Sequence, residues 1–176
     1  MKIVALVFIL CLCLGFISCK KQAPQLPSNK NLVADSSSVS LLTINQDLAR
    51  KEDSLLEKQV KSSGKGFKKS ETGFWYKIDQ SGNGDKIKGK VSCNLSYKLT
   101  LLNGKSIENK TTTIKFGKKQ STVGLEEGIK LLQLGDSATF IIPWYLGYGM
   151  AGNETTIPPY TSLIYHIRIQ NNPVSE

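Results

Sequence analysis

The side chains able to do acid–base or nucleophilic chemistry are few and poorly grouped. The single histidine, His166, lies in an alternating stretch on the parity opposite Tyr165. It reads as an exposed or half-buried strand residue, not a general base. Glu126 and Glu127 are adjacent carboxylates, but neighbours in a helix point in different directions, which suits a solvated face better than shared proton transfer. Of the four cysteines, Cys11, Cys13 and Cys19 fall at the N-terminus and Cys93 stands alone in a strand pattern. No disulfide framework or paired metal-ligand spacing results, and Cys93 is expected to pack as a small buried hydrophobe. These residues form no catalytic triad. The chain instead carries an ordered set of apolar and aromatic signals: Val123-Gly-Leu-Glu-Glu-Gly-Ile-Lys-Leu-Leu-Gln-Leu-Gly135, then Ile141-Ile-Pro-Trp-Tyr-Leu-Gly-Tyr-Gly149, then Thr156-Ile-Pro-Pro159.

The elements that must position them follow from hydropathy periods. Phe74, Tyr76 and Ile78 alternate with Trp75, Lys77 and Asp79 as a first strand, and Ser81-Gly-Asn-Gly84 is a turn by composition. Val91, Cys93, Leu95, Tyr97, Leu99 and Leu101 give the longest alternation in the chain. Asn103-Gly104 then reverses it into Lys105 to Glu108, and Thr111 to Phe116 adds a β-branched stretch. The pattern predicts a helix from about Thr122 to Leu134 with Gly135 as a left-handed cap, and two more strands at Ala138 to Ile142 and Leu163 to Ile169. Strands, one helix and further strands make an α+β domain, an antiparallel sheet wrapped around a single short helix. The span of about 100 residues from Thr72 to Asn171 suffices for one modest core. A separate amphipathic helix is expected over 43–62. Ile44, Leu48, Leu55, Leu56 and Val60 recur on one side of it, Thr43-x-x-Gln46 offers a capping box, and Ser62-Ser-Gly-Lys-Gly66 ends it. Packing on the domain, contact with a partner and dimerisation are all open to this helix.

The first residues bear on location. Lys2 precedes an apolar run, Ile3 to Ile17, too short to span a bilayer as a helix, which takes ~20 residues. A charged start, a short apolar region and a small residue before a cleavage point describe a signal peptide, residues 1–18. The end of the run, Leu14-Gly-Phe-Ile-Ser-Cys19, resembles the lipobox of bacterial lipoproteins, in which the cysteine is acylated. Two or three acyl chains on Cys19 would anchor the chain stably. Residues 19–42 are rich in Ser, Asn, Gln, Pro and Lys and read as a flexible tether. The formal net charge of +9 comes from scattered lysines, with arginine only at positions 50 and 168 and no interleaving of aromatics with basic residues. Nucleic-acid binding is not expected. Three Asn-x-Ser/Thr matches, at Asn94, Asn109 and Asn153, are frequent in Asn/Thr-rich chains and idle in a bacterial setting.

The ordered landmarks resemble the FK506-binding-protein (FKBP) type of peptidyl-prolyl cis/trans isomerase. Tyr97 to Gly104 resembles the family's Tyr-Thr-Gly-x-x-x-x-Gly strand and turn, and Gly117 to Gly128 its Leu-Gly-x-x-x-x-Ile-x-Gly-Trp-Glu-x-Gly segment. Tyr148-Gly149 and Ile157-Pro158-Pro159 match the Ala-Tyr-Gly and Ile-Pro-Pro landmarks, and Tyr165 sits where a pocket aromatic closes the last strand. The lipobox, the N-terminal helix and Gly73-Phe-Trp-Tyr76 together look like the gliding-motility-associated lipoprotein isomerases of Bacteroidetes.

The resemblance implies an FKBP-like fold and a pocket for a prolyl ring. Leu125, Tyr97, Ile157 and Tyr165 would form its floor and walls, with Ile107 where the family has an aromatic wall. The backbone N–H of Thr122 would hold a substrate carbonyl, the Tyr148 hydroxyl would donate a second hydrogen bond, and Glu108 would stand for the polar pocket carboxylate. Leu125 replaces an indole floor, and Ser121-Thr122 is more polar than the usual Val-Ile pair. No cofactor or metal is implied. The expected function is folding assistance to proline-containing clients among exported or envelope proteins, from a lipid anchor in the inner or outer membrane that faces the periplasm. The alternative is a catalytically weak FKBP-fold binding module that holds a partner in an envelope complex through the pocket or the 43–61 helix.

Overall fold

A computed structural model describes residues 36–87, 92–118 and 120–170. The signal segment, Cys19 and most of the tether lie outside the described residues, as does Val91. Within residues 41–176, which form one compact unit, a six-stranded antiparallel sheet carries a short helix on one face and a long helix on the other.

Helix α1 runs Ser36–Ser63. It begins before the expected 43, so Thr43 lies inside it and starts no capping box; no Gly or Pro interrupts the run. Ser62 and Ser63 donate their hydroxyls to the carbonyls of Gln59 and Val60 at 2.9 and 2.7 Å, and Gly64 at φ 61° turns the chain out. The expected single apolar side divides in two. Leu56 and Val60 are buried against Trp75 and Ile141, whereas Leu41, Ile44, Leu48 and Leu55 are exposed.

The strands are β1 (Lys68–Lys69), β2 (Trp75–Gln80), β3 (Ser92–Leu101), β4 (Ser106–Lys115), β5 (Ser137–Ile142) and β6 (Leu163–Ile169), in the order β1-β2-β5-β6-β3-β4. The two stretches expected at 105–108 and 111–116 are one continuous strand, because β4 pairs along nearly the whole of β3. The hairpin between them turns at Gly104, φ 84°, with Leu101 and Lys105 bonded at 2.9 Å. Alternation puts Phe74, Tyr76, Leu95, Leu99, Phe140, Ile142, Tyr165 and Ile167 in the core on the α2 side. Trp75, Ile141 and Ile164 face α1. Ile78 departs from the pattern and is exposed, at the end of β2 where the pairing with β5 shifts register.

Helix α2 spans Val123–Ile129, shorter than the expected 122–134. Leu131 and Leu132 already bond three residues back, and Leu134 then donates to Asp85 and accepts from Gly84. The backbone groups that would continue the helix are taken by residues 84–87. Buried Asp136 holds this junction, accepting from the Gly82 N–H at 2.6 Å and the Gln133 N–H at 2.9 Å. Two glycines bring α2 close to the sheet: a Cβ on Gly124 would stand 2.5 Å from Ile142, and one on Gly128 2.7 Å from Phe140. Leu125 and Ile129 are thereby seated in the core, where a fully buried aliphatic side chain contributes roughly 1.5–3 kcal/mol.

Candidate functional site

A cavity of about 360 Å³ opens between β3, β4, β6 and α2, and Tyr97, Leu125, Tyr148 and Tyr165 line it. Tyr97 and Tyr165 come from the inward faces of β3 and β6, two residues out of register, and their rings meet edge to face at 5.5 Å. Leu125 enters from the buried face of α2. Tyr148 comes from the loop after the short 3-10 turn Trp144–Leu146 and is 37 % exposed, against 2 % for Tyr165.

The side chains of the other residues expected at the site are not among those that line it, although Thr122 directly follows Ser121 of the lining. Glu108 accepts the Tyr97 hydroxyl at 2.6 Å and pairs weakly with Lys110 at 3.8 Å. Ile107 is half-buried against the core. Thr122 is the N-cap of α2, and its hydroxyl oxygen accepts from the Leu125 N–H at 3.4 Å; this fixes where Leu125 enters the cavity. Ile157 is buried in the core, its N–H held by Asn153 Oδ1 at 2.6 Å. Asn153 also accepts from the N–H groups of Thr155 and Thr156. The sequence flagged Asn153 only as a glycosylation match; its spacing to the Ile-Pro-Pro turn was the available signal.

Most of the rim was missed. Lys110 and Thr112 of β4, and Gln120 and Ser121 of the turn before α2, border the cavity; of these only Ser121 stood out in the sequence, beside Thr122. Glu126 ties that rim to α2 by accepting from Gly117 N–H at 3.0 Å and Ser121 Oγ at 3.1 Å. Glu127 bonds instead to Lys130 at 2.7 Å, so the adjacent carboxylates do separate work, as expected.

Burial, and next the bond to Glu108, pushes the Tyr97 hydroxyl well above the usual phenol range. Burial does the same for Tyr165, with the Tyr148 hydroxyl close by. Both stay protonated at any physiological pH, and the Tyr97 proton goes to Glu108. The cavity therefore offers aromatic walls, an aliphatic base and hydroxyl donors, an arrangement that can desolvate a small apolar group and hold a neighbouring carbonyl.

His166 lies on the opposite face of the sheet. Its Nδ1 is 3.0 Å from the Thr139 hydroxyl, which donates to Asp79 Oδ2 at 2.6 Å. It takes no part in the cavity. Cys93 is buried, and burial raises its thiol to about 11.

Residues 80–170 match the family described as FKBP-type peptidyl-prolyl cis-trans isomerase. A probable FKBP-type peptidyl-prolyl cis-trans isomerase of Haemophilus influenzae is 34% identical over 119 residues, covering 65% of this chain and 49% of that protein. The FKBP-type isomerase FkpA of Escherichia coli strain K12 is 32% identical over 108 residues, covering 60% of this chain and 40% of FkpA. The crystal structure of FkpA from Escherichia coli superposes with a TM-score of 0.59 at 26% identity, over 78% of this chain and 66% of that one. The chain thus spans about half or less of the length of these curated relatives.

Proposed function

The chain belongs to the FKBP-type peptidyl-prolyl cis-trans isomerase family, and from that premise we propose that it catalyses cis/trans isomerisation of X-Pro bonds in polypeptide clients. The observation that carries this reading is the convergence of Tyr97, Leu125, Tyr148 and Tyr165 on one cavity. Rotation about an X-Pro amide breaks amide resonance and is slow, with a barrier of about 18–20 kcal/mol. A prolyl ring seated on Leu125 between Tyr97 and Tyr165 loses its water. The planar amide, with its charge separation, loses more by this than the twisted transition state, which has shed that separation. The Tyr148 hydroxyl and the Thr122 N–H hold the flanking carbonyls, and Glu108 fixes the Tyr97 ring. No proton is transferred.

The client is a folding chain whose X-Pro steps limit its rate. We place the protein in the bacterial envelope, on the periplasmic side of a membrane, anchored through acylated Cys19. The lipobox of residues 14–19 supports the anchor, and the exposed Leu41, Ile44, Leu48 and Leu55 on α1 support a contact with an envelope partner. A second reading, a weakly catalytic binding module in a membrane-associated complex such as a gliding-motility assembly, is favoured by the rim. Lys110, Thr112, Gln120 and Ser121 make it polar, and leucine stands at the base in place of a ring.

The test is a protease-free isomerisation assay of the full chain on X-Pro tetrapeptides that differ in the residue before proline. A rate well above the thermal one is expected. A rate equal to the thermal one for every peptide would replace the enzyme with the binding module. Mass spectrometry of the protein expressed with and without Cys19→Ala tests the anchor, the expected result being acyl mass on wild type alone.

A further inference from the structure

We infer that Glu52 and Asp53 of α1 are positioning residues for the loop that carries Tyr148, so that the helix outside the isomerase fold sets the geometry of its pocket; this rests on the isomerase reading above. The two carboxylates are adjacent and half-buried. Each accepts a hydroxyl from one end of the chain segment that bears Tyr148 and Ile157. Tyr145 donates to Asp53 Oδ1 at 2.5 Å, and buried Ser162 donates to Glu52 Oε1. Lys69 adds an ion pair to Asp53 at 3.7 Å.

The Glu52 contact continues into the loop. Having given its proton to Glu52, the Ser162 oxygen accepts the Trp144 N–H at 3.1 Å. The carbonyl of the same Trp144 accepts from Gly147 at 3.0 Å and Gly149 at 2.9 Å. These two N–H groups flank Tyr148. The Gly149 carbonyl in turn accepts from Tyr160 at 3.1 Å, whose ring lies 4.9 Å from that of Trp144. One residue, Trp144, thus links the helix carboxylate through its N–H and its carbonyl to both sides of Tyr148. Without an acceptor at position 52 Ser162 could cap Trp144 only loosely; the Glu52 oxygen is what draws the Ser162 proton away from Trp144 and leaves a lone pair toward it. None of these groups touches the cavity. Their effect on catalysis is through Tyr148 alone.

The experiment compares Glu52→Ala, Glu52→Gln, Asp53→Ala and the exposed-face control Glu57→Ala in the full chain, by amide hydrogen exchange and by isomerase kinetics on one X-Pro tetrapeptide. Glu52→Ala is expected to speed exchange at Gly147 and Gly149 by about ten-fold or more while Leu99 and Tyr165 keep their protection. It should lower kcat about five- to thirty-fold with KM little changed. Glu52→Gln keeps an acceptor oxygen and should recover most of both effects; Asp53→Ala should give a smaller loss, and Glu57→Ala none. Unchanged exchange at Gly147 and Gly149 in a folded Glu52→Ala protein overturns the inference, as does faster exchange with unaltered kcat. Should Glu52→Ala fail to fold, the Glu52→Gln and Asp53→Ala proteins carry the same two readouts. If the wild type lacks isomerase activity, the functional reading falls. Exchange and the affinity for the same tetrapeptide then decide this inference separately, a fall in affinity with faster loop exchange supporting it and either one unchanged overturning it.

Discussion

The Tyr97 hydroxyl donates to Glu108 Oε2 at 2.6 Å across the β3–β4 pair, although the register sets Tyr97 opposite Lys110 and Glu108 opposite Leu99. The contact is diagonal, within reach of a long side chain on the same face of adjacent antiparallel strands. It gives a carboxylate outside the cavity control over a ring inside it.

Tyr97→Phe removes that bond and keeps the ring. Because Glu108 is partly solvated and close to Lys110, the stability loss should stay within about 1 kcal/mol. The freed ring should cost about three- to ten-fold in kcat/KM, and Glu108→Gln, which still accepts, should cost less. Equal activity in wild type and Tyr97→Phe would remove this bond from the mechanism.

Leu125 and Tyr148 separate stability from activity. Leu125 is 2 % exposed, so Leu125→Ala should destabilise the fold by about 2–5 kcal/mol as well as remove the base of the cavity. Tyr148 is on the surface, so Tyr148→Phe should shift stability by about 0.5 kcal/mol or less yet slow isomerisation. Denaturant melts run beside the kinetic assay check both; a destabilised Tyr148→Phe protein would show that this hydroxyl is structural.

Asp136 is 2 % exposed and its two oxygens hold the N–H groups of Gly82 and Gln133. Asp136→Ala leaves both donors without an acceptor and should cost about 2–5 kcal/mol, since bonds to a charged group contribute about 1.5–3 kcal/mol each. Asp136→Asn, with one acceptor oxygen left, should fall between. Chemical denaturation of the three proteins measures this, and a loss under about 1 kcal/mol for the alanine variant would count against it.

Acid should weaken the outer face of the sheet in two stages. Burial lowers the pKa of His166 from its ordinary 6.5, outweighing the opposite pull of Asp79. The unfolded chain then binds that proton more readily, so this contribution is whole above 6.5 and lost as pH falls from there toward the lower folded value. For Asp79, partial burial works upward, but the bonds from Lys77 and Thr139 together prevail and hold it below 3.8. Its contribution is present above 3.8 and lost as pH falls further through the folded value. Thermal melts from pH 8 to 3 should show a declining midpoint. His166→Asn should flatten the fall that begins near 6.5, and Asp79→Asn the lower one; an unchanged profile in both variants would refute the assignment.

Most of the sheet was legible along the chain. Period-two alternation in β3 and β6 marks which side chains face inward, because successive residues of a strand point to opposite faces. Asn103-Gly104 marks the hairpin because its backbone must turn with positive φ. Cys93 inside, His166 outside and the divergent partners of Glu126 and Glu127 follow from the same local geometry. Of the landmark residues from Tyr97 to Tyr165, only Tyr97, Leu125, Tyr148 and Tyr165 line the cavity.

What only the tertiary structure decided involves partners far apart in sequence. Helix α2 stops at Ile129 because residues 84–87 claim the backbone of 132–134, and no helix propensity reports such competition. The apolar residues of α1 divide between buried and exposed according to where Trp75 and Ile141 lie. The rim of the cavity is built from Lys, Thr, Gln and Ser, whose polarity is ordinary until the fold sets it beside Leu125. Nothing local marks Glu52 and Asp53, whose bonds to Ser162 and Tyr145 span 110 and 92 residues. Periodicity records which face a side chain takes, a local property of the backbone, whereas the identity of the atom it meets is set when distant segments are brought together.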